Sequence, residues 1–88
     1  MKIDMNAGEI WDLLEQGSTN QKDFINCLDY TEFEQFIEYL EFMEDFDEFD
    51  LRGYLNGGVI EVVESPEDAE EVEGWIIWEN ERIMIVLI

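Results

Sequence analysis

The apolar pattern of this chain changes period at Gly57-Gly58, and that change constrains the fold more than any other feature. Upstream, apolar residues recur three and four positions apart. Asn6-Ala-Gly-Glu9 has the spacing of a capping box, and Ile10, Leu13 and Leu14 follow on one face. Gly17 stands where that helix should end. Ser18 to Gln21 offers a second start, with Phe24, Ile25 and Leu28 as its buried side. Thr31-Glu-Phe-Glu34 reads as a third capping box and opens a long helix over Thr31–Phe49. Gly53, and then Gly57-Gly58, close the helical half. Downstream, Val59–Val63, Trp75–Glu79 and Arg82–Ile88 are rich in β-branched and aromatic residues, as strands are. Ser65-Pro66-Glu67-Asp68 places proline at a first helical position and acids beside the positive end of the dipole. A short helix to about Val72 should therefore join the first two strands, and Asn80-Glu81 should turn a hairpin between the last two. The expected fold is α+β: three N-terminal helices packed on a small, mainly antiparallel C-terminal sheet of three strands. It forms a single domain, with a helical half (1–56) and a strand-rich half (57–88).

Charge is where the chain departs furthest from an ordinary domain. Twenty-four acids against four bases give a formal charge of −20 at neutral pH. Eleven acids and no base lie between Lys22 and Arg52, and nine acids and no base between Arg52 and Arg82. Such a surface repels nucleic acid and anionic membranes, and its self-repulsion opposes compaction. The expected partner is basic. An apolar content of 47% still allows a packed core. The N-terminal "MKIDMNAGEIW" has no apolar signal segment, and the run Ile83–Ile88 is too short to cross a bilayer. A lone Cys27 cannot make an internal disulfide, which fits a reducing, cytoplasmic setting.

The acids concentrate in Thr31–Asp50, twenty residues that hold nine carboxylates and six aromatics. On one continuous helix Phe33, Phe36, Ile37, Leu40 and Met43 share a side, while Tyr39, Phe42, Phe46 and Phe49 anchor a second edge. Glu34, Glu38, Glu41, Asp45 and Glu48 then form a stripe rising ~21 Å, about 5 Å per charge. One DNA strand presents a phosphate roughly every 3.4 Å. Like charges four apart weaken an isolated helix by roughly 0.2–0.5 kcal/mol per pair. A stripe without lysine therefore points to a bound partner more than to a solvated face. Glu61, Glu64 and the cluster Glu67, Asp68, Glu70, Glu71 and Glu73 make a second row.

Other chemistries find little footing. The chain has no histidine, which removes imidazole bases, Ser-His-Asp triads and most transition-metal sites. Cys27 falls in a helical apolar pattern and is expected in the core. Asp45-Phe-Asp47-Glu-Phe-Asp50 has the carboxylate density of a calcium loop, but Phe49 takes a ligand position and the glycine is missing. Paired carboxylates could do glycosidase-type work, yet so small a chain leaves little room for a cleft. The expectation is a protein that is not an enzyme and needs no cofactor or metal.

Its size and acidity, taken over the whole chain, resemble the DNA-mimic inhibitors of phages and mobile elements: anti-restriction proteins, anti-CRISPR proteins and uracil-DNA glycosylase inhibitors. "VIEVVES" followed by "EDAEEVEG" is similar to the strand with a Glu-Ser pair, and the acidic helix after it, of uracil-DNA glycosylase inhibitors. That resemblance implies that Glu64 and Ser65 meet an enzyme's DNA-binding cleft, although Pro66 after the pair departs from the pattern. "DYTEFEQFIEYL" (Asp29–Leu40) resembles a helix of colicin DNase immunity proteins, which are all-helical. Two functions are carried forward. The first is an inhibitor occupying the nucleic-acid-binding surface of a basic protein: a nuclease, Cas effector, restriction enzyme or glycosylase. The second is an immunity protein or antitoxin that neutralises a basic nuclease toxin. A halophile's housekeeping domain fits poorly with ten isoleucines and six phenylalanines. One expectation concerns the sheet. Ile83, Ile85 and Leu87 alternate with Met84, Val86 and Ile88, so both faces of the last strand are apolar, and the N-terminal helices can cover only one. Trp75 or Trp78 should then pack in a homodimer or receive an apolar group from the target.

Overall fold

A computed structural model describes residues 4–43 and 45–88. Its element order is α1 (Ala7–Glu15), α2 (Thr19–Asn26), α3 (Tyr30–Glu41), α4 (Glu48–Asn56), β1 (Ile60–Val63), α5 (Pro66–Glu71), β2 (Trp75–Glu79) and β3 (Met84–Leu87). The fold is α+β, with helices leading and an antiparallel three-stranded sheet following.

Each helix starts on a short polar side chain that accepts a backbone N–H of the first turn: Asn6, Ser18, Asp29, Asp47 and Ser65. In α2, α3 and α4 the bond is returned by Gln21, Glu32 and Asp50, completing capping boxes. The third helix is thus capped by Asp29 with Glu32, two residues ahead of the expected Thr31-Glu34 pair. Both pairs have the right spacing; the earlier one wins because its Glu32 is also held by the far end of the chain.

Among the described residues four helices precede the sheet, where three were expected. The predicted helix Thr31–Phe49 ends at Glu41, and a new one starts at Glu48 on the Asp47–Asp50 box, with reciprocal bonds of 3.0 and 3.2 Å. The predicted Thr31–Phe49 helix would run only ~28 Å, so length does not forbid it; the break goes with the second cap, whose Asp47–Asp50 box satisfies the first N–H groups of a new helix. In α4 Leu51 and Leu55 are buried in the core, and the helix packs against α2. Gly53, expected as a terminator, lies inside α4; Gly57 caps it, and Gly58 follows with φ 68°.

The strand order is β1-β3-β2, both pairings antiparallel, so β1 and β2 run parallel with β3 between them. Ile60 faces Leu87 and Val62 faces Ile85 across one pair; Trp75 faces Leu87 and Trp78 faces Ile85 across the other, with a bulge at Ile77. The alternation sends Ile83 and Ile85 into the main core with Ile10, Leu14, Phe24, Phe33, Phe36, Leu40, Leu51 and Leu55. It sends Val86, Val63 and Met84 to the other face. That face is partly covered: Ala69 and Val72, at α5 and its end, pack on Val63, Val86 and Met84, while Ile76, paired with Val86, stays partly exposed. Gly74 makes the approach feasible, since a Cβ there would stand 2.8 Å from Val86 Cβ.

One buried charge ties the two halves together. Glu32 is 6% exposed. It accepts from Asp29 N (3.0 Å), Asn80 Nδ2 (2.7 Å) and Arg82 Nε (3.0 Å), with Arg82 Nη2 closing a second contact. Arg82 Nη2 also donates to the Cys27 carbonyl at 2.9 Å. The Arg82 hydrogen bond, helped by Asn80 and the Asp29 N–H, outweighs burial and lowers the Glu32 pKa from 4.5 to about 2. The hairpin turn after β2 is thereby pinned to the start of α3.

Candidate functional site

The acids fall into two groups once their hydrogen bonds are followed. Asp29, Asp47 and Asp50 accept first-turn or cap N–H groups, and Glu32 is held by Arg82. Glu48 is half-buried and pairs with Arg52 at 2.6 Å. These carboxylates serve the fold. Glu34, Glu38 and Glu41 stand exposed on the side of α3 away from Phe33, Phe36, Ile37 and Leu40. Asp45 is exposed in the turn after it. The expected five-carboxylate stripe is therefore not one row. Three charges rise ~10 Å along α3, Asp45 follows off the helix axis, and Glu48 belongs to another helix and to Arg52.

The second row is denser. Glu61, Glu64, Glu67, Asp68, Glu70, Glu71 and Glu73 are all exposed. Glu61 pairs with Val86 and so lies on the α5 face of the sheet, as does Glu79 opposite Met84. Ser65 is the N-cap of α5, its Oγ accepting from Asp68 N at 3.2 Å, while Glu64 beside it is free of such duty. The two rows occupy different layers: α3 belongs to the helical layer on one face of the sheet, and α5 covers part of the other.

The ends of the helices carry the wrong charge for stability. A helix C-terminus is the negative end of its dipole and favours cations by about 0.3–1 kcal/mol each. Here α1, α3 and α5 end on Glu15, Glu41 and Glu71, and no described helix has a basic residue in its last turn. The acids at these C-termini, unlike those that cap and begin the helices, are not placed for helix stability.

Apolar groups also reach the surface. Phe42 and Phe49, expected to anchor the long helix, are 86% and 81% exposed. Tyr39 and Met43, expected on anchoring or buried sides, are exposed too. For Phe42, Met43 and Phe49 the helix break is the cause, since α3 ends at Glu41 and Phe49 lies on the new helix α4; Tyr39 is exposed within α3 itself. Of that edge only Phe46 packs inward, stacked on Tyr54 with ring centroids 5.8 Å apart. A groove of about 370 Å³ opens there between Met43, Asp45, Phe46 and Tyr54. At the far end of the sheet Trp75 is 76% exposed, with Ile76 and Ile88 partly open, whereas Trp78 packs edge-on to Phe36. Cys27 is exposed and not in the core, because it caps the end of α2 where the chain leaves the helical layer. It lines a second groove of about 270 Å³ between α2 and the outer edge of β1, with Asp23, Phe24 and Glu61.

Among the described residues no helix is long and apolar enough to cross a membrane. Comparison with family models, curated proteins and solved structures finds nothing that matches this chain.

Proposed function

We propose that the protein is a non-enzymatic inhibitor that occupies the nucleic-acid-binding surface of a basic protein by presenting the charge of DNA. The observation that carries this reading is linear charge density. Twenty net charges over a longest dimension of 34 Å give one per about 1.7 Å, the axial spacing of charge on double-stranded DNA. Lys2 and Glu44, outside the described residues, cancel, so the described residues carry the same net charge. Two further observations support it. The exposed acids of α3 and of the α5 face make no ion pair among the described residues, and three helices end on glutamate. Both raise the energy of the free protein, and a cationic surface relieves both. The mechanism is exclusion: the inhibitor fills a basic cleft, electrostatic steering speeds its arrival, and no bond is made or broken.

The separation of the rows shapes the test. One variant neutralises α3 and its turn (Glu34→Gln, Glu38→Gln, Glu41→Gln, Asp45→Asn). A second neutralises the α5 side (Glu64→Gln, Glu67→Gln, Asp68→Asn, Glu70→Gln, Glu71→Gln). Each is scored for competition with duplex DNA on a panel of nucleases, Cas effectors, restriction enzymes and glycosylases. Close interfacial charge pairs couple by ~1.5 kcal/mol or more, so the row in contact should lose orders of magnitude in affinity while the other loses little. Equal modest losses from both rows would mean that bulk charge acts without a positioned surface. Failure of the unaltered protein to compete with DNA on any panel member would overturn the reading. Competition confined to a single nuclease would mark an immunity protein.

A further inference from the structure

We infer that the surface presented by Phe42, Met43, Asp45 and Phe49 is a docking surface for a partner that presents an apolar side chain between lysines or arginines. The inference rests on the inhibitor reading and adds to it the anchor that holds the partner once charge has drawn it in. Phe42 and Phe49 are the most exposed large apolar residues described, more open than Trp75. Met43 lines the adjoining groove, and the stacked pair Phe46 and Tyr54 gives that groove a fixed floor. Neither open ring contributes to the core. A polar residue at the end of α3 or in the first turn of α4 would serve the fold as well. Exposed aromatics of this kind are the residues that dominate binding energy at protein interfaces.

Charge identifies the occupant. Glu41 and Asp45 are exposed there, and Asp47 and Asp50 lie beside them in the cap of α4. Asp45 forms part of the groove wall, and Arg52, the next base along the chain, is engaged by Glu48. An apolar centre with carboxylates beside it complements an apolar group with cations beside it. A second copy of this chain fits badly, because it brings another −20 to a contact already lined by carboxylates. An anionic lipid surface meets the same repulsion.

Two synthetic peptides of equal length and charge test this, one alternating leucine with lysine and the other serine with lysine. Binding is measured by titration at physiological salt, with no enzyme and no nucleic acid present, so the result is independent of any competition assay. The leucine–lysine peptide should bind at least about tenfold more tightly. Phe42→Ser with Phe49→Ser should abolish that preference, and Trp75→Ser should leave it intact. All three side chains are exposed, so the variants should fold, which circular dichroism verifies. Equal binding of the two peptides, or a preference removed by Trp75→Ser and not by the phenylalanine pair, overturns the inference. So does concentration-dependent dimerisation of the free protein that Phe42→Ser abolishes, since the surface would then belong to a second copy.

Discussion

Replacing Glu32 by Gln should unfold this protein more readily at neutral pH and make no difference near pH 2. The folded Glu32 carboxyl sits at about 2, against 4.5 for the free group. A folded pKa held below the unfolded value contributes stability that is fully present above the unfolded pKa and disappears as pH falls through the folded one. The window is therefore 4.5 down to about 2. A shift of that size corresponds to about 3 kcal/mol at 1.36 kcal/mol per unit. The Arg82 side chain is 55% exposed, and solvent screening of the pair brings the expected effect to roughly 2 kcal/mol. The amide can still accept from the Asp29 N–H, so helix capping survives while the ionic tie to Arg82 is lost. For a domain of this size that loss lowers the melting temperature by about 10 °C. Urea denaturation followed by tryptophan fluorescence measures it, since Trp78 packs on Phe36. Other acids titrate in the same range and relieve repulsion as they do, but they do so in both proteins. The difference between the two isolates Glu32. A difference that stays constant from neutral pH to the acid end would show that shape, and not charge, holds the hairpin to α3. A loss below ~0.5 kcal/mol at neutral pH, within the scatter of surface substitutions, would refute the argument outright.

Two other outcomes follow from the packing and the charge. Gly74→Ala should cost roughly 1–3 kcal/mol by pushing α5 away from Val86, because its Cβ would meet Val86 Cβ at 2.8 Å and Cγ2 at 2.9 Å; an unchanged thermal midpoint would mean that α5 does not lie so close. Adding NaCl to physiological strength shortens the reach of repulsion to about 8 Å, so the free protein should melt at a higher temperature while its association with a basic partner slows; a melting point that falls with salt would remove self-repulsion as the dominant electrostatic term.

The sequence by itself determined what is written within a turn or two of chain. The period change at Gly57-Gly58, the caps at Asn6, Ser18 and Ser65, the proline at the start of α5 and the hairpin after β2 are local signals, and each appears in the fold. So does the exposure of Glu34, Glu38, Glu41 and Asp45 and of the second acid row, though not that of Glu48. The tertiary structure decided whatever depended on competition for a finite interior. The apolar spacing through Met43, Phe46 and Phe49 suits one long helix, but a second cap at Asp47 starts a new one that buries Leu51 and Leu55. The chain breaks instead, and the rings of Phe42 and Phe49 are left outside. The same competition packed α5 on part of the second sheet face, put Cys27 on the surface and recruited Asp29, Glu32, Asp47, Glu48 and Asp50 to the fold. A carboxylate that caps a helix and one free to meet a partner have the same letter in the sequence. Only the position of the next backbone N–H or guanidinium separates them, and that position is set by packing.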